Sequence, residues 1–210
     1  MTYTNSFDNI PPTRIGFDDP VATSRAGGTP SEYAPGYTLG PGEGPATWFR
    51  RSLITMKARK RDTDGQFALA EWYAPRGLCA PGHSHPNEAE FFTILDGELD
   101  VTCGDTVYHA TPGSYVYIPK ATVHDIVVTT AKARFTVLIT PAGFEHWFEE
   151  LGTAALAPTF PYSEHEGTPS FEEMEEVGEK YGWTPATGIA SANPDVPRTE
   201  PLGRLNLNES

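Results

Sequence analysis

The segment GLCAPGHSHPNEAEFFTILDG, residues 77–97, holds His83 and His85 two positions apart and Glu90 at the start of an apolar run. Alternate residues of a strand share a face, so the two imidazoles project to one side, about 6–7 Å apart along the strand. Pro86-Asn87 supplies a turn into the next strand. There Glu90 shares its face with Phe92 and Ile94, which point to an interior, so its carboxylate points inward as well. A carboxylate among apolar side chains is costly without a strong partner. A divalent metal ion is such a partner.

A second stretch, GSYVYIPKATVHDIVV at residues 113–128, places His124 on the same strand face as Ile126 and Val128. That face is apolar, so His124 also looks inward. Three histidines and one carboxylate form a borderline-hard donor set for a first-row ion: iron, manganese, nickel, cobalt or zinc. One or two further coordination positions would stay open for water, substrate or dioxygen.

Working outward, residues 46–140 alternate short apolar runs with turn signals. The runs are Trp48–Lys57, Phe67–Tyr73, Ala89–Leu95, Leu99–Cys103, Val107–Ala110, Tyr115–Ile118, Val123–Val128 and Phe135–Thr140. Breaks fall at Pro75–Gly77, Asp96-Gly97, Gly104-Asp105, Pro112-Gly113 and Pro119. Strands at this spacing with no helices between them predict an antiparallel sandwich or barrel. Two helices should follow. Phe144, Trp147, Phe148 and Leu151 make one apolar stripe, stopped by Gly152. Ser170 and Glu173 match a capping box ahead of Phe171, Met174, Val177 and Tyr181, with Gly182 at the end. Glu172, Glu173, Glu175, Glu176 and Glu179 should form a solvated face near that helix's N-terminus.

The division expected is therefore an extended arm over 1–45, a β-barrel over 46–142, helices packed on it over 143–183 and a loose tail over 184–210. Gly and Pro number 20 each in 210 residues, which suits a turn-rich β domain. The formal net charge of −13 opposes phosphate backbones and anionic membrane surfaces, so neither nucleic acid nor membrane is an expected partner. Two isolated cysteines, Cys79 and Cys103, make no disulfide framework and no CxxC motif. With no charged-then-apolar leader at the start, a cytoplasmic protein is expected.

Gly77-x5-His83-x-His85-x4-Glu90-x6-Gly97 resembles the first motif of the cupin superfamily at every specified position. Gly113-x5-Pro119-x-Ala121-x2-His124 resembles the second, with Ala121 at a usual glycine and Val128 at a usual asparagine. More widely, Gly40-Pro41-Gly42-Glu43-Gly44, Thr140-Pro141-Ala142-Gly143-Phe144 and Lys180-Tyr181-Gly182 resemble single-domain quercetin 2,3-dioxygenase-like cupins. The resemblance implies an all-β antiparallel jelly-roll barrel with His83, His85, Glu90 and His124 as ligands of one divalent iron, nickel, manganese, cobalt or zinc ion. It implies a dioxygenase cleaving an aromatic or enolisable substrate of flavonol type, with Glu90 as catalytic base, and a homodimer. The alternative is a non-oxidative metal-dependent isomerase, cyclase or lyase tailoring a polyketide-like metabolite. A non-catalytic metal- or ligand-binding role is a third reading, weakened by the absence of an appended DNA-binding unit. Phe49, Phe67, Tyr73, Phe92, Tyr115, Tyr117, Phe135, Phe144, Trp147 and Phe148 are the candidate lining of an apolar pocket for the small substrate. His109, His146 and His165 fall outside the motifs and should stand apart from the chemistry.

Overall fold

A computed structural model describes residues 36–163, 165–186 and 198–199. Its strands are β1 (Ala46–Phe49), β2 (Ser52–Ala58), β3 (Ala68–Ser84), β4 (Ala89–Asp96), β5 (Leu99–Cys103), β6 (Thr106–Ala110), β7 (Tyr115–Ile118) and β8 (His124–Thr140). Helix α1 (Glu145–Leu151), β9 (Thr153–Ala154), α2 (Phe171–Tyr181), β10 (Thr184–Pro185) and β11 (Arg198–Thr199) follow.

The two 17-residue strands β3 and β8 run antiparallel to each other and organise everything else. The first half of β3 and the second half of β8 carry β2, β1 and β9 on one side and β4 and β7 on the other. The remaining halves carry β5, β6 and β11 on one side and β10 on the other. Trp72, Phe92, Phe135 and Val137 from the first half and Leu99, Val101 and Ile126 from the second join one buried cluster. Phe144, Trp147, Phe148 and Met174 bring both helices into it. Among the described residues β7, β9 and β11 each have one partner strand, so this all-β jelly roll does not close into the full barrel expected.

Three expected boundaries change for physical reasons. The run Trp48–Lys57 is a hairpin, because Arg50 and Arg51 adopt left-handed backbone between β1 and β2. The break at Pro75–Gly77 does not end β3: the register shifts there and again up to His83, and these bulges absorb the irregular residues. Val123–Val128 and Phe135–Thr140 merge in β8. Of the expected arm only 36–45 is described, and of the expected tail only 184–186 and 198–199. Far from loose, Thr184 and Pro185 pair with Ser84 and His83. The side chain of Cys79 lies outside the described residues.

Helix α2 has the full capping box: the Ser170 hydroxyl accepts from the Glu173 N–H, and the Glu173 carboxylate accepts from the Ser170 N–H. Gly182 ends it in the left-handed region. Its glutamates are exposed. Among the described residues no helix is long and apolar enough to cross a membrane.

Gly97, which closes the first motif, joins β4 to β5 at φ 74, and a Cβ there would stand 2.3 Å from the Lys132 carbonyl oxygen. Gly104, at φ 60, has open space around the same position. Gly104→Ala should cost about 1–2 kcal/mol from backbone conformation alone. Gly97→Ala should cost clearly more in denaturant unfolding, because backbone must also move; equal costs would contradict the packing described.

Candidate metal centre

His83, His85, Glu90 and His124 are all buried, and one ligating atom from each lies within 4.8 Å of the others. The fold explains the meeting. β3 pairs His83 directly with His124 of β8, and their rings stand 4.2 Å apart. His85 lies one residue beyond the end of β3, with its ring 4.7 Å from His83 and packed on Phe144 at 4.0 Å. Glu90 comes from β4, between Ile118 of β7 and Ile139 of β8. Ala121, at the usual glycine position, adopts left-handed backbone at φ 59 and donates its N–H to the His85 carbonyl at 2.7 Å. That bond ties the two motif segments together.

Tautomers follow from backbone contacts. His83 Nδ1–H donates to the Pro81 carbonyl at 2.7 Å and His124 Nδ1–H to the Thr122 carbonyl at 2.9 Å. Each leaves an Nε2 lone pair for the cluster, the usual arrangement behind a metal-ligating histidine. Both ring nitrogens of His85 are buried without a hydrogen-bond partner. His124 Nε2 is 3.0 Å from Glu90 Oε2 without hydrogen-bond alignment, and His85 Nε2 is 3.9 Å from Oε1. Buried polar atoms left this way are rare and call for a partner. Donors around one first-row ion sit about 2.0–2.2 Å from it, so the cluster needs only a small inward movement to share one. The donor set fits a metal ion.

Burial, reinforced by the charges of His124 and His85, holds His83 well below the usual histidine value. Burial lowers His85 to about 4 against the pull of Glu90. For Glu90, burial acts to raise the carboxyl, but the nearby His124 and His85 outweigh it and the net direction is down. For His124, burial acts downward, but Glu90 wins and the net direction is up. Glu90 is thus held ionised beside a readily protonated His124 and two neutral imidazoles.

His83 and Glu90 also line a cavity of about 30 Å³ whose walls are otherwise mainly aromatic. Of the candidate lining residues, the structure brings Phe49, Phe92, Phe135, Phe144, Trp147 and Phe148 to it. Four candidates lie elsewhere. Tyr73 stacks on Phe160 outside the main core, because β3 turns Trp72 inward instead. Tyr115 and Tyr117 are 59% and 49% exposed, since Val116 and Ile118 take the inner face of β7. Phe67 lies just before β3, away from the cavity. Trp72 and Trp183 are the aromatic lining residues that sequence reasoning missed. Alternation could have found Trp72, because Ala70 and Ala74 share its face while Glu71 and Tyr73 share the other. His109 pairs with Asp100 and His146 with Glu149, both apart from the cluster.

The cupin domain family matches residues 72–141 of this chain. Over 125 residues the chain is 27% identical to quercetin 2,3-dioxygenase of Bacillus subtilis, covering 60% of this chain and 37% of that protein. It is 32% identical over 63 residues to alginate biosynthesis protein AlgA of Pseudomonas fluorescens, covering 30% and 13% respectively. The chain therefore spans well under half the length of these relatives. Among solved structures, an RmlC-like cupin from Shewanella frigidimarina aligns with a TM-score of 0.45 at 14% identity, covering 54% of this chain and 96% of that one.

Protein purified without added metal should carry a first-row ion by mass spectrometry, and a His83→Ala/His85→Ala variant should lose it. No metal in either protein after reconstitution would contradict the fit. A proton on a ligand competes with the ion. Affinity should therefore fall by about tenfold per pH unit as pH drops through the raised His124 value. The decline should steepen near 4, where His85 begins to protonate. A pH-independent affinity across that range would exclude His124 as a ligand.

Proposed function

The chain belongs to the cupin superfamily, and from that premise we propose that it is a metal-dependent dioxygenase acting on a flat aromatic or enolisable substrate of flavonol type. One observation carries the reading: two of the four cluster residues, His83 and Glu90, line a cavity whose other walls are apolar and mainly aromatic. His83, His85, Glu90 and His124 would hold the ion. When bound, it supplies Lewis acidity and a fixed point for an enolate oxygen. The similarity to a quercetin 2,3-dioxygenase supports the same substrate class.

The protein's own residues have three tasks in this scheme. Phe92, Phe135, Phe144 and Phe148 bury an aromatic ring and exclude water, which strengthens electrostatic interactions inside. Glu90 takes the enol proton. Its Oε2 lies toward His124, which leaves Oε1 as the oxygen to receive it. His124, with its Nε2 3.0 Å from Oε2, helps fix the orientation of that carboxylate. The bound, deprotonated substrate then reacts with dioxygen, a ring carbon–carbon bond breaks and both oxygen atoms enter the product.

A cavity of about 30 Å³ has room for roughly two water molecules. Substrate entry therefore requires a wall to move. Trp183 is the wall residue contributed by the segment just before β10, stacked on His83 at 5.9 Å and on Trp147 at 5.4 Å.

Iron-, nickel-, manganese- or cobalt-loaded protein should consume one dioxygen per flavonol lost in an oxygen-electrode assay. Glu90→Gln that retains metal should turn over about 10²–10⁴-fold more slowly. Substrate conversion without oxygen uptake would replace this reading with the isomerase, cyclase or lyase alternative, and no conversion with any ion would remove both. Trp183→Ala should speed flavonol binding in stopped-flow quenching with metal content unchanged; an unaltered rate would place the entrance elsewhere.

A further inference from the structure

Two tryptophans that line this cavity each carry a polar atom with no assigned work. The indole Nε1 atoms of Trp72 and Trp147 are buried and have no hydrogen-bond partner, while both rings line the cavity. By contrast, Trp48 donates its Nε1–H to the Thr159 carbonyl at 2.7 Å. A buried indole normally finds such a partner, and an unmet donor carries a desolvation cost that folding would otherwise remove. Here two occur in one cavity, at 5% and 3% residue exposure, and phenylalanine in either place would avoid the cost. Their ring neighbours offer no oxygen or nitrogen acceptor: Trp72 packs on Phe135 and Phe148, and Trp147 on Phe49, Phe144, Phe148 and Trp183.

We propose that the Trp72 and Trp147 indole N–H groups are specificity-determining donors, selecting flat aromatic substrates that carry acceptor oxygens beyond the one directed to the metal centre. The inference rests on the cavity being the substrate site and assigns the residues that would read the carbonyl or ring-ether oxygens of an oxygenated, fused-ring aromatic. A hydrocarbon of the same shape would fill the aromatic walls equally well but leave both donors unmet. A site with polar groups waiting for a ligand rejects the analogue that lacks the matching group.

The test reads binding, without turnover, on zinc-loaded full-length protein with flavone and 2-phenylnaphthalene as probes of matched shape. In proton–nitrogen correlation spectra, flavone should move the Trp72 and Trp147 indole resonances downfield and leave that of Trp48 in place, whereas 2-phenylnaphthalene should not shift the pair downfield. Trp72→Phe and Trp147→Phe assign the signals, and each should weaken flavone binding about three- to tenfold while changing 2-phenylnaphthalene binding less than about twofold. Equal losses for both probes, identical indole shifts with both, or no binding of either probe would overturn the proposal. Where a variant fails to fold, nuclear Overhauser contacts in the unmutated protein assign its indole signal, and the spectra still decide the matter. Because oxygen is not consumed, failure of the dioxygenase reading would leave this result standing, and the reverse.

Discussion

The antiparallel pairing of β3 with β8 is the constraint on which the rest of the structure depends. Each strand is long enough to serve both halves of the jelly roll, and their register sets His83 opposite His124. The bulges between Pro75 and His83 let the first strand bend without losing its partner. A one-residue slip in this register would turn each inward residue outward, the histidines with it. The metal centre and the aromatic core are therefore products of the same pairing. β4 then delivers Glu90 from the other side of β8, and the Ala121 N–H holds the His85 carbonyl.

Placing four polar residues at the edge of such a core carries an electrostatic cost that the cluster only partly offsets by itself. Backbone carbonyls of Pro81 and Thr122 satisfy one nitrogen each of His83 and His124. Glu90 and His124 neutralise one another in part, and burial keeps His83 and His85 uncharged. The His85 nitrogens remain without partners. A purely structural polar cluster would gain from satisfying them internally, whereas a ligand-binding one needs the lone pairs left open. The arrangement favours binding over stability.

The cluster was legible in the sequence because it depends on short-range rules. His83 and His85 follow from strand alternation, Glu90 and His124 from their apolar face-mates, and the helix start at Ser170 from its capping box. What escaped was phase and long-range contact. Trp72 and Tyr73 are adjacent and both aromatic, and only the alternation with Ala70, Glu71 and Ala74 tells their faces apart. On β7 the alternation turns Tyr115 and Tyr117 to the exposed face and Val116 and Ile118 to the buried one. Trp183 could not be found locally at all. Its place beside His83 comes from β10 pairing back to β3 across about a hundred residues of chain, and no periodicity near Trp183 encodes that return.

Under the function proposed, the aromatic walls and the polar cluster impose different selections, and their combination matters more than either. Flat packing surfaces from Phe92, Phe135, Phe144 and Phe148 favour any ring of suitable thickness, because dispersion and burial discriminate little between isosteres. The Glu90 carboxylate adds a demand for an acidic proton within reach of its oxygens. Indole donors add a demand for acceptors elsewhere on the same molecule. A simple phenol meets the second demand and not the third, and an arene meets neither. An oxygenated fused-ring enol meets all three, which is why the apolar character of this cavity is compatible with narrow chemical choice.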